Sequence, residues 1–303
     1  MQTTTEANSK KDNSADSGKD VLKMTVPTGR MQDKVLALLK GLGIQFSQES
    51  RSYRPTSSDP MIEGKFLKAQ NIPSLVSLGR HDCGFAGYDW IVEQKADVVE
   101  LLDLGFDPVR IVVAAPENLD LEKARSGSKP LVLASEYKCL AETYIEQKKL
   151  NSIYIRTYGA TEALPPEDAD LIIDNTATGA TLVSNRLVII DEVMRSTTRF
   201  ICSREALENK TKKQKLEELV MLMKSSLAAR KKVLLEMNVD KADFERIVKN
   251  LPCMKSPTVS ELYQGSGYAV KIAVDKDEVP SLIPKLVAWG AKDILEYKLE
   301  KIV

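Results

Sequence analysis

Apolar and polar positions alternate along the chain with two periods, near 2 and near 3.6, and together they lay out a series of short strands and helices. Residues 21–26 (VLKMTV) read as a first strand and Pro27-Thr28-Gly29-Arg30 as a turn. Met31, Val35, Leu38, Leu39 and Leu42 then recur at helical spacing until Gly43 stops the helix. Phe66 to Ala69 reads as a strand, and Ile72 to Leu78 opens a helix with Pro73 in its first turn. Strands are expected at 98–102, 109–114, 131–135, 153–156, 171–173, 187–190 and 198–202. Helical stretches are expected between them at 116–124, 136–149, 158–162 and 180–187. This order marks an α/β class with a mostly parallel sheet, and two such units joined by hinge segments would enclose a cleft.

From Lys212 the pattern changes. Leu216, Leu219, Val220, Met223 and Leu227 form one helical stripe, read as a connecting helix. Beyond it come a strand (233–239), a helix (241–251), strands at 258–263 and 268–275, a helix (277–289) and a last strand (294–299). That is β-α-β-β-α-β, the ferredoxin-like order.

The stretch richest in chemistry is Asp170 to Leu182, DLIIDNTATGATL. A short buried strand ends at Asp174, and strand ends are where open α/β sheets place ligands. Thr176, Ala177, Thr178, Gly179, Ala180 and Thr181 follow, with Gly179 free to take a positive φ and a helix opening at Ala180. Exposed N–H groups at a helix start attract anions, and the threonine hydroxyls add donors. A lone carboxylate would repel phosphate but accepts hydrogen bonds from sugar hydroxyls, so the pattern points to a phosphorylated ribose. The plain alternative is a strand–turn–helix corner with Asp174 as a cap. Gly29 and Arg30 sit at another strand end, and Arg51 and Arg54 flank Tyr53. Asp89 follows the glycine pair Gly84/Gly87, where it could cap a helix or meet a sugar.

Composition narrows the choice. The 303 residues allow roughly two domains or a few small ones. Lys+Arg and Asp+Glu are both 43, which gives no basic field for nucleic acid or a membrane surface. No apolar run approaches a membrane span. Residues 1–20 are polar and lack a secretory apolar core, so they read as a disordered tail. The four cysteines have no metal-like spacing, which fits a reducing cytoplasm. The single histidine, His81, argues against a histidine-based triad or a zinc site.

Several segments taken together resemble ATP phosphoribosyltransferase of the long, histidine-regulated form. They are VPTGRM (26–31), RSYRP (51–55), QNIPSLVSLG (70–79), CGFAGYDW (83–90), 98–117, SEY (135–137), 168–187, 227–239 and SPTVSEL (256–262). The resemblance runs over roughly residues 21–303 and implies two α/β lobes of the type II periplasmic-binding-protein kind. Lobe I would comprise 21–113 and 188–211, and lobe II 114–187. A connecting helix (212–226) would lead to an ACT-like regulatory domain (227–303). It implies that adenine N1 of ATP attacks the anomeric carbon of 5-phosphoribosyl 1-pyrophosphate, releasing pyrophosphate with Mg²⁺ as the first step of L-histidine biosynthesis. Asp174 and Thr176 to Thr181 would hold the phosphoribosyl group. Gly29, Arg30, Arg51, Arg54 and Asp89 would form the wall near ATP and pyrophosphate, and Glu162 would face the ribose or the metal. Mg²⁺ would be mainly substrate-bound, with Asp174 or Glu162 as candidate protein contacts. Thr258 and Ser260 would fall at the site of L-histidine, and a homo-oligomer, dimer or hexamer, is implied. Where many members carry Lys, apolar residues and Pro, this chain has Thr28, Asn175-Thr176 and Glu261. The competing readings are a different phosphoribosyltransferase, although Asp174-Asn175 lacks the usual second acidic residue, and a non-catalytic bilobal amino-acid sensor.

Overall fold

The computed structural model describes residues 20–47, 52–119, 129–252, 254 and 256–303. Arg51, most of the polar stretch 116–124 and nearly all of the polar N-terminal segment lie outside the described residues. The chain divides into two compact units, one ending at Leu216 and the other beginning at Glu217.

The first unit holds two five-stranded sheets. One is built from β1 (Leu22–Thr28), β4 (Ile62–Lys68), β5 (Cys83–Gly87), β6 (Val99–Asp103) and β12 (Thr198–Cys202), in the order β4-β1-β5-β12-β6. The other is built from β7 (Val109–Pro116), β8 (Leu131–Ser135), β9 (Ser152–Arg156), β10 (Leu171–Thr176) and β11 (Leu187–Ser196), in the order β11-β7-β10-β8-β9. Both sheets follow one plan: second, first and third strand of the lobe, then the strand arriving from the other lobe, then the last. β2 (Phe46–Ser47) and β3 (Thr56–Ser57) form a small separate hairpin. Central strands are buried on both faces, which explains the continuous apolar reading of Ile111 to Ala115 and of Cys83 to Gly87. Phe85 and Phe200 are cross-strand partners with ring centroids 4.9 Å apart.

Three expectations change. The sheets are mixed: β1 pairs in parallel with β4 and β5, while β12 is antiparallel to β5 and β6. The whole of β7 and of the ten-residue β11 belongs to the second sheet, so the lobes exchange chain near 104–108 and at Thr197 rather than at 113 and 188. Periodicity marks a strand but not its hydrogen-bonding partners. Finally, the helix expected at 180–187 is only Ala180–Ser184, and the strand before it runs through Asp174 to Thr176.

The lobe exchange is stitched by Leu104 N donating to Thr198 O (3.0 Å), Thr198 N to Phe106 O (2.9 Å) and the Thr197 hydroxyl to Asp103 (2.7 Å). A helix not expected from sequence, Arg204–Glu208, is capped by Ser203 Oγ, which accepts from Ala206 N. The stripe from Leu216 belongs to one longer helix, Lys210–Arg230, in which Leu216, Leu219 and Met223 are buried.

The second unit has β13 (Lys232–Asp240), β14 (Thr258–Glu261), β15 (Gly267–Asp275) and β16 (Ala291–Lys298) in the antiparallel order β14-β15-β13-β16. With helices Phe244–Asn250 and Val279–Ala288 this is the ferredoxin-like arrangement. Val233, Leu235, Met237, Val239, Val270, Ile272 and Val274 form its core with Ile247, Leu282 and Leu286 of the helices.

Candidate active site

A cavity of about 460 Å³ opens between the two sheets of the first unit. Thr28, Gly29 and Arg30 line it from the end of β1, Lys68 from the end of β4, and Asp89 and Trp90 from the helix Tyr88–Glu93. Tyr137 and Asn175 enter from the second lobe, and Ser196, Thr197 and Thr198 from the chain crossover.

Asp89 is not a helix cap. The cap position is Gly87, and the Asp89 carboxylate is buried in the first turn. It accepts from Ser196 Oγ (2.6 Å) and from the Tyr137 hydroxyl (2.7 Å), while its own N–H donates to Ser196 Oγ (3.0 Å). Gly87 makes room for this: a Cβ there would collide with Asp89 Oδ1. Tyr137 stacks on Trp90 with ring centroids 4.7 Å apart. Burial, with the Asp89 carboxylate second, pushes the Tyr137 phenol far up and keeps it protonated as a donor. Two further contacts join the lobes. Glu93 accepts from Cys139 N (2.9 Å) and Leu140 N (3.0 Å) at the start of the helix Lys138–Lys148, and Gln70 Nε2 donates to Glu136 (2.9 Å).

The threonine-glycine corner follows β10. Gly179 has φ 84°, as a glycine there should, and it forms the cap of the five-residue helix. So short a helix has little macrodipole, and the corner offers local N–H groups and hydroxyls instead. Thr176 is buried and turns inward, its Oγ1 accepting from Gly179 N (2.9 Å), so its part is to hold the loop in shape. Ala177, Thr178, Ala180 and Thr181 are exposed.

Asp174 lies inside β10, which runs on to Thr176, rather than at its end, and is half-buried. Its Oδ1 accepts from Asn175 N (2.7 Å) and Asn175 Nδ2 (3.3 Å). Burial pushes its carboxyl up to about 6. The Asn175 N–H pulls it back, and Glu162 and Glu136 push it further. Glu162 is therefore within electrostatic reach of Asp174, on the short turn Thr161–Ala163. Arg54 does not line the cavity; it is paired with Glu63 at 3.7 Å. Thr258 and Ser260 lie on β14 of the second unit, exposed, with cross-strand partners Lys271 and Ala269. Neighbouring Val270 and Ile272 face the helices, so Thr258 and Ser260 project from the open face of that sheet.

Lys68, Trp90, Tyr137, Asn175 and Ser196 to Thr198 were not among the expected site residues. The polar run Ser196-Thr197-Thr198 between two strands was the one local signal; the rest depend on long-range packing.

Two lobes of one plan face a shared cleft, and Asp174 stands beside a threonine-glycine corner, an arrangement suited to an enzyme that takes a phosphorylated ligand. Residues 68–225 match the ATP phosphoribosyltransferase family and residues 229–301 the HisG C-terminal domain. The chain belongs to the ATP phosphoribosyltransferase family. It is 38% identical over 290 residues to the ATP phosphoribosyltransferase of Thermodesulfovibrio yellowstonii, covering 93% of this chain and 98% of that one. It is 36% identical to the enzyme of Chlorobaculum parvum, covering 94% and 98%. A chain of the ATP phosphoribosyl transferase (HisG:HisZ) complex from Thermotoga maritima superimposes with TM-score 0.58 at 27% identity, covering 66% of this chain and 98% of that chain. The reaction is that of the family, joining ATP to phosphoribosyl pyrophosphate in the first step of histidine biosynthesis. Among the described residues, no helix is long and apolar enough to cross a membrane.

Proposed function

We propose that the corner from Asp174 to Thr181 holds the phosphoribosyl group. Asp174 meets the ribose hydroxyls, and Thr178, Gly179, Ala180 and Thr181 surround the 5-phosphate. The observation carrying this reading is the preformed loop: Gly179 at φ 84°, its N–H held by the inward Thr176 hydroxyl, with Ala177, Thr178, Ala180 and Thr181 exposed around it. Gly29, Arg30 and Lys68, on the opposite wall, receive the polyphosphates, and Arg51 is assigned to the same wall by resemblance alone. Displacement at the anomeric carbon builds positive charge on the sugar and negative charge on the leaving pyrophosphate. The protein therefore has to align two anionic substrates and offset the charge of the leaving group. Adenine N1 is the nucleophile, so no side-chain base is needed.

Asp174, Glu162 and Glu136 are hard oxygen donors suited to Mg²⁺. The described residues contain no group of three or more carboxylates, histidines or cysteines poised as a cage. Asp174 and Glu162 would thus receive an ion carried on the substrate's pyrophosphate. Bound Mg²⁺ supplies charge neutralisation at the leaving group.

The open face carrying Thr258 and Ser260 is assigned to L-histidine as inhibitor, and the enzyme is assigned to the cytoplasm as a homo-oligomer, dimer or hexamer. The test is turnover of ATP and phosphoribosyl pyrophosphate with Mg²⁺, followed by the ultraviolet absorbance of the adduct. Asp174→Ala and Gly179→Val should each lose turnover by at least a hundredfold while remaining folded, the scale of losing two charge-assisted hydrogen bonds. Near-normal activity in both would remove the assignment.

A further inference from the structure

A chain of side-chain hydrogen bonds leads from the crossover between the lobes to the proposed ribose carboxylate. Ser196, the last residue of β11, donates to Asp89 Oδ1 (2.6 Å), and Tyr137 donates to Asp89 Oδ2 (2.7 Å). The Tyr137 oxygen then accepts from Asn175 Nδ2 (3.3 Å), which also donates to Asp174 Oδ1 (3.3 Å). The orientation of the Asn175 amide follows from chemistry, because a carboxylate opposite can only accept and the NH₂ must face it. Asp89 belongs to the first lobe, while Tyr137, Asn175 and Asp174 belong to the second. Ser196, Asp89 and Tyr137 are buried, and the Asp89–Tyr137 bond spans the two lobes.

We propose that Asn175 is a positioning residue that ties Asp174 to the Asp89–Tyr137 contact, so that the meeting of the lobes sets the aim of the ribose carboxylate. The inference rests on the assignment of Asp174 to ribose. A hydrogen bond made by a side chain with two donors has directional force only while both partners hold still. Tyr137 is held by its stack on Trp90 and by Asp89. An apolar residue at 175 would leave Asp174 aimed by the backbone alone, its Oδ1 keeping only the Asn175 N–H at 2.7 Å. The short loop from this strand to the phosphate corner makes a small rotation of Asp174 matter for the sugar.

The experiment is a double-mutant cycle in the full-length enzyme with Asn175→Leu, Tyr137→Phe and both together. Steady-state kinetics are run against each substrate, with thermal melting as the fold control. Each single change should raise KM for phosphoribosyl pyrophosphate by roughly tenfold, the worth of one hydrogen bond to a charged group, and leave KM for ATP within about threefold. The double variant should be no more than about threefold worse than the poorer single one. Multiplied effects, roughly a hundredfold, would mean that the two side chains act separately, and the proposal fails. It also fails if Asn175→Leu leaves KM and kcat for phosphoribosyl pyrophosphate unchanged. Should Asn175→Leu melt early, Tyr137→Phe alone decides, since it keeps the ring stack and removes only the hydroxyl: an unaltered KM for phosphoribosyl pyrophosphate overturns the coupling. Asp174→Ala separates the two levels. Normal activity there removes the ribose assignment, whereas an inactive Asp174→Ala beside a neutral Asn175→Leu removes only the coupling.

Discussion

Replacing Asp174 by Asn should stabilise the enzyme while disabling it. In the folded protein the Asp174 carboxyl is pushed from its ordinary 3.8 up to about 6, first by burial and then, against the pull of the Asn175 N–H, by Glu162 and Glu136. A raised acid pKa means that the folded state holds the proton more tightly than the unfolded chain. Between about pH 4 and pH 6 the folded state therefore binds more protons, and stability falls as pH rises through that window. At 1.36 kcal/mol per pH unit the ionised carboxylate destabilises the free enzyme by about 3 kcal/mol at pH 7. Asn carries no charge and keeps an oxygen to accept from Asn175 N, although the bond weakens when the acceptor is neutral. The net gain at pH 7.5 should be about 2 kcal/mol. For a unit of this size that is a rise in melting temperature of roughly 4–8 °C in the catalytic transition. The assay is calorimetry or urea unfolding of parent and variant between pH 4.5 and pH 7.5, where the difference should grow with pH. Phosphoribosyl pyrophosphate with Mg²⁺ should reverse the order, because a ligand at a hundred times its Kd adds about 2.7 kcal/mol to the parent and much less to the variant. A variant no more stable than the parent at pH 7.5, or a difference flat across the range, would refute the reasoning.

Gly87→Ala should cost about 1–3 kcal/mol of stability and reduce turnover, since its Cβ forces the Asp89 carboxylate off Ser196 and Tyr137; a urea midpoint matching the parent would contradict this. Thr258→Val combined with Ser260→Ala should raise the histidine concentration for half-inhibition by about tenfold or more, read from inhibition curves, because two hydrogen-bonding hydroxyls leave the open sheet face. Unchanged inhibition would move the effector elsewhere.

The parts of this molecule that were legible in the sequence are those whose causes are local. β8 falls on the apolar run Leu131 to Ala134 and β12 around Phe200 to Cys202, and Gly179 adopts the positive φ its place in the corner requires. The ferredoxin-like order of the second unit is also local, because each strand–helix alternation announces itself by period. What was hidden depends on partners distant in sequence. Asp89 two residues after a glycine looks like a cap, yet its oxygens are taken by Ser196, 107 residues away, and by Tyr137, 48 away. Thr176 reads as one more donor in a threonine-rich loop, but burial turns it inward. The assignment of β7 and β11 to the second sheet depends on which edges they meet, a choice that hydrophobic pattern leaves open.

Asn175 shows why the distinction matters for function. Beside Asp174 it reads as a neutral neighbour in a strand that would pack equally well with an apolar residue there. Once Tyr137 is placed next to it, the same side chain becomes the link between a carboxylate in one lobe and a buried carboxylate in the other. The corner proposed to hold the phosphate can be recognised from its composition, because phosphate binding needs only N–H groups, hydroxyls and a glycine. The orientation proposed for Asp174 cannot, because the hydrogen bonds that reach it through Asn175 and Tyr137 come together only when both lobes are folded.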